Sequence, residues 1–84
     1  MIRLQVLTTW DTDNLGDYEP GVLQDLRAAG FGVASYRDAT DDAPAPVLDP
    51  NVMIAEIVIT PAAYDWLYDD PGYGIGAILW SESL

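Results

Sequence analysis

Fourteen Asp and Glu residues, three Arg (Arg3, Arg27 and Arg37) and no Lys, His or Cys make up the reactive inventory of this 84-residue sequence. The missing His and Cys remove the usual zinc ligands and the commonest general base. A hydroxyl nucleophile such as Thr8 or Ser35 then has no imidazole or amine to take its proton. Carboxylates remain, and they occur as adjacent pairs, Asp41-Asp42 and Asp69-Asp70, with Asp65 just before the second pair. An acid–base couple needs two unlike environments that drive the pKa values apart. Adjacent acids next to Pro and Gly read instead as solvated loop residues, so no catalytic residue and no enzymatic activity are expected.

Two stretches resemble ligand loops and depart from them where it matters. From Asp11 to Val22, Asp11 and Asp13 fall on calcium-ligand positions and Gly16 on the turn glycine. Leu15 and Val22, however, stand where a ligand and the bidentate Glu belong. A polar loop that also caps the following helix is the preferred reading, and the sequence leaves open whether Asp11 and Asp13 hold a cation. In Gly72-Tyr73-Gly74-Ile75-Gly76 the glycines lead into a strand and no Lys accompanies them, unlike a phosphate cradle. They read as close backbone packing or a bulge. No metal or cofactor is expected. Glu56, the one acid in an apolar run, is expected to pair with Arg3 on a neighbouring strand.

The elements around these residues are legible from periodicity. Ile2, Leu4 and Val6 alternate with Arg3 and Gln5 as in a strand with one buried face, and Trp10 keeps their parity. Asp11 to Asp17 is turn chemistry. A helix follows, with Pro20 at its first position, acids at 17 and 19 near its positive end, and an apolar stripe of Val22, Leu23, Leu26 and Ala29. Gly30 is expected to end it in a left-handed cap, with Phe31 folding back on the last turn. Phe31 to Arg37 reads as a second strand. Residues 38–50, rich in Asp, Ala and Pro, read as a mobile loop inside a single domain of residues 1–84. Val52 to Ile59 is apolar on both parities except at Glu56, as in a central strand. Thr60-Pro61 opens a short helix, and Ile75 to Trp80 forms the last strand. The resulting order, strand–helix–strand twice over, predicts an α+β fold of ferredoxin-like βαββαβ plan, one sheet with two helices on one face. That plan alone implies no function.

Function is read from charge and aromatics. The formal net charge of −11 repels phosphate backbones and anionic membranes and favours a basic protein partner. Trp10, Tyr18, Tyr36, Tyr64, Trp66, Tyr68, Tyr73 and Trp80 exceed what a small core buries, and Trp and Tyr anchor interfaces. Asp65, Trp66, Tyr68, Asp69 and Asp70, with Asp41 and Asp42, are therefore the expected partner-binding residues. In size and charge alone the chain is similar to small acidic phage and mobile-element inhibitors of restriction, CRISPR and repair enzymes. The expected function is thus an acidic module that inhibits or modulates a basic, nucleic-acid-binding partner. The alternative is a homo-oligomeric structural or regulatory subunit, a homodimer joined through an open sheet face bearing Val52, Ile54 and Val58. The N-terminal residues lack a signal peptide's pattern and no stretch reaches the roughly 20 apolar residues of a membrane span, so a cytoplasmic location is the default.

Overall fold

The computed structural model describes residues 1–12, 16–42, 49–69 and 75–84. They form a small α+β domain in which two helices pack on a curled antiparallel sheet. The long first strand, β1 (Ile2–Thr12), organises the sheet. Along one edge it pairs with β4 (Val52–Ile59), with Ile2 opposite Ile59 and Thr9 opposite Val52. Along the other it pairs first with β5 (Ile75–Ser83) and then with the short β2 (Tyr18–Pro20), whose Pro20 lies opposite Trp10. The remaining strand, β3 (Ser35–Asp38), pairs with the outer edge of β4.

Parity explains the layering. Leu4, Val6 and Thr8 of β1 sit opposite Ile57, Ala55 and Met53 of β4, and all six side chains are buried. Helix α1 (Gly21–Ala28) adds Val22, Leu23 and Leu26 to this core, and α2 (Pro61–Asp69) adds Ala63 and Leu67. The opposite face of the sheet carries Arg3, Gln5 and Leu7 beside Val58, Glu56 and Ile54. Two register shifts interrupt the β1–β5 ladder: Gln5 faces Trp80 but Val6 faces Ile78, and Leu7 faces Ala77 but Thr8 faces Ile75. Leu79 and Gly76 are thus extra residues on β5, the signature of bulges that add local twist.

Helix ends follow the sequence closely. The Gly30 N–H reaches the Arg27 carbonyl (3.0 Å) and the Phe31 N–H the Leu26 carbonyl (2.9 Å), while Gly30 takes φ +91°. That is a Schellman closure, which only glycine enters without strain. Thr60 caps α2 as expected, its hydroxyl accepting the Ala63 N–H at 3.2 Å. The start of α1 differs. Pro20 ends β2 and stands one residue before the helix, and no side chain of its own caps it. Thr8, on β1, supplies the cap by accepting the Val22 N–H at 3.1 Å.

Three expectations need correction in extent. Asp11 and Thr12, read as turn residues, belong to β1, because Tyr18–Pro20 pairs with them and the chain forms a hairpin there. The second strand covers only Ser35–Asp38, since Phe31 instead packs on the core and on Trp66. The last strand runs on to Ser83. The element order therefore departs from the predicted plan by the inserted β2 and by a 3-10 turn at Thr40–Asp42. The loop expected at residues 38–50 begins with buried Ala39, whose N–H bonds the Ile54 carbonyl at 2.8 Å. Its residues 43–48 lie outside the described residues. No described helix is long and apolar enough to cross a membrane.

Candidate protein-binding surface

On α2 the spacing of inward Ala63 and Leu67 turns positions 65, 68 and 69 to the opposite side. Asp65 and Asp69 are exposed there, and Tyr68 is 68% exposed. The ring of Tyr64 stacks beside that of Tyr68, centroids 6.3 Å apart, and the Tyr64 hydroxyl lies 3.3 Å from that of Ser81. Trp66, expected at the interface, is half-buried: it packs on the core with its ring 5.9 Å from that of Phe31. Asp70 lies outside the described residues, as do Asp13 and Gly72 to Gly74. The structure thus brings Asp65, Tyr68 and Asp69 onto one solvent-facing stripe.

Asp41 and Asp42 are not part of that stripe. They sit in the 3-10 turn on the sheet face away from the helices, where Asp42 accepts a hydrogen bond from Arg37 at 2.6 Å. Arg37 also donates to Glu56 at 2.8 Å, and Gln5 donates to the same carboxylate at 3.2 Å. Glu56 is therefore ion-paired, as its setting in an apolar strand demanded, but with Arg37 and not with Arg3. The register is the reason: Gln5 lies opposite Glu56, while Arg3 lies opposite Val58 and reaches Glu82 across β5 at 2.8 Å. The bond from Arg37 holds the Glu56 carboxyl below the usual glutamate range. On the same face Val52 and Val58 are half-buried, and Ile54 is only 3% exposed.

The third guanidinium, Arg27, is bound by Glu19. All three Arg side chains are consequently engaged by carboxylates of their own fold. Among the described residues the calcium-loop reading gains no site from the fold. Asp11 belongs to a strand, Val22 is a buried helix residue, and no group of three or more acids among the described residues is placed to hold a metal. Asp11 does something local instead. Its carboxylate and the Thr9 hydroxyl occupy the space beside Gly21 where a larger residue's Cβ would lie, so a side chain there would have to push the Asp11 carboxylate aside.

One acid was missed from the sequence. Asp25, on α1, has a side-chain oxygen (Oδ2) that is closed off from solvent and has no hydrogen-bond partner among the described residues, and Gln24 Nε2 is in the same condition. Burial, and next the nearby Asp11 charge, push the Asp25 carboxyl above the usual aspartate range. Its position beside Leu26 and between Leu23 and the helix end was the only available signal. No family model, curated protein or solved structure matches the chain.

Proposed function

We propose that this chain is a small acidic binding module, without catalytic activity, that works in the cytoplasm by covering a basic surface of a nucleic-acid-binding protein and so inhibits or modulates it. The observation that carries this reading is the outer stripe of α2. Asp65 and Asp69 are one helical turn apart and lie toward the helix's negative end, and α2 has no basic residue in its last turn. Like charges at that spacing destabilise a helix by about 0.2–0.5 kcal/mol, and acids near its C-terminus oppose the dipole. A basic partner relieves both effects at once, and exposed Tyr68 between the two acids supplies an aromatic anchor. With every Arg already bound internally, the net charge of −11 steers the whole molecule toward such a partner.

Affinity capture from the native host at low and at high salt tests this. A captured basic protein that is lost at 0.5 M salt (about a 4 Å screening length), and lost again with a D65N/Y68A/D69N chain, is the expected outcome. Capture indifferent to both changes would sink the reading. For the fold we propose the ferredoxin-like plan with a hairpin inserted before α1. Its support is the placement of β1 between β5 and β4, with β3 beyond β4 and both helices sharing one core. An experimental structure with a left-handed crossover in either half would reject it.

A further inference from the structure

Beside the β1–β2 hairpin lies a cleft of about 390 Å³ whose described lining is Trp10, Tyr18, Pro50 and Asn51. Trp10 pairs with Pro20 and Thr12 with Tyr18, which sets the two aromatic residues diagonally on one face of the ribbon. Trp10 is half-buried and packs on the core, whereas Tyr18 is 73% exposed. Across the cleft the Asp49 carboxylate accepts the Asn51 N–H at 2.9 Å, and the Asn51 carbonyl accepts the Trp10 N–H at 2.9 Å. Both backbone groups of Asn51 are thus used in the turn, so its side-chain amide is what it can offer a ligand.

The described lining carries no charge. It combines Trp, Tyr and Pro rings with three donors, an indole N–H, a phenol O–H and an amide NH₂. A polyproline II segment has the complementary chemistry. Its rings pack on aromatic side chains, its carbonyls have no internal partners, and its prolines bring no N–H to be left unsatisfied. A helix has already committed its carbonyls internally. Charge lies at the rim, where exposed Asp17 and Asp49 each stand next in sequence to a lining residue. A cation flanking the prolines is favoured there.

We propose that this cleft binds a proline-rich segment of a partner protein in polyproline II form, with an arginine or lysine beside the prolines directed to the acidic rim. For the charge of that segment the inference rests on the reading of a basic partner, and it uses residues distinct from the α2 stripe.

The test is titration of the ¹⁵N-labelled protein with two blocked peptides of equal charge, a proline hexamer and an alanine hexamer, each followed by one arginine. Chemical-shift changes centred on the Trp10 indole, Tyr18 and Asn51 are expected with the proline peptide alone. Binding should weaken about tenfold in Y18A and stay unchanged in Y68A. D17N/D49N should bind about threefold more weakly at low salt and equally at high salt. The spectra of both variants also report that the fold is intact. Equal shifts from the alanine peptide, equal binding by Y18A, indifference to D17N/D49N, or no response to the proline peptide at millimolar concentration would overturn the proposal. The two readings fail separately. A proline peptide that ignores the cleft while salt-sensitive capture persists removes the cleft alone. A proline peptide seated in the cleft with no basic protein captured removes the partner reading alone.

Discussion

The two faces of the sheet treat charge in opposite ways. On the uncovered face, Arg3 bonds Glu82, and separately Gln5, Glu56, Arg37 and Asp42 are joined, all by hydrogen bonds of 2.6 to 3.2 Å. There the protein spends two of its three cations on itself, and the polar groups act as structure. On the helix-covered face, Asp25 has a shielded oxygen with no hydrogen-bond partner among the described residues, and the acids of α2 face water with no cation in the helix. On that side Glu19 binds Arg27, while Asp65 and Asp69 oppose their own helix. Charge that stabilises nothing inside the molecule is the charge to examine for work outside it.

Substitutions can break or sharpen this contrast. The largest effect belongs to the buried side. I57A should cost roughly 2–5 kcal/mol in urea unfolding, since Ile57 is fully buried. Its neighbour V58A, on the open face and half-buried, should cost about 1 kcal/mol. Equal losses would mean that both faces are covered alike. Next is T8V, which leaves the buried Val22 N–H without its acceptor and should cost roughly 1–2 kcal/mol.

Smaller effects separate the two kinds of carboxylate. E56Q should lose about 1 kcal/mol at neutral pH by weakening the bonds with Arg37. Because the folded pKa of Glu56 lies below the ordinary 4.5, its contribution is present above that pH and lost as acid protonates the folded state. The gap between wild type and E56Q should therefore close on acidification. D25N should do the reverse and stabilise at pH 7 by under about 1 kcal/mol. The folded pKa of Asp25 lies above 3.8, so its favourable contribution exists at low pH and fades as pH rises through the folded value. The advantage of D25N should vanish below pH 3.8. A D25N chain weaker at neutral pH would erase the distinction between the faces.

Local signals were legible and pairings were not. The alternation of Ile2, Leu4 and Val6, the Gly30 closure, the Thr60 cap and the apolar run at Val52–Ile59 each depend on neighbours in sequence, and each reappears in the fold. The strand at Tyr18–Pro20 was illegible because three residues become a strand only through Trp10–Thr12. Glu56 could be expected to pair, but its partner depends on a register that parity cannot fix. The same holds for the candidate surface. Helical spacing placed Asp65, Tyr68 and Asp69 together, whereas only the tertiary path sends Asp41 and Asp42 to the far side. Asp25 was not legible, since helical spacing does not reveal which polar residue the tertiary fold will shelter.

The interrupted ladder of β5 has a consequence for how copies of this molecule meet. A strand laid along that edge could stay in step only over Trp80 to Ser83, before the extra residue Leu79 throws it out. The opposite edge, β3, is equally short and ends in Arg37 and Asp38. Neither border can serve as a template for ribbon growth. A crowded solution of this protein should resist conversion into fibrils, even though its outermost strand is rich in the residues that build them.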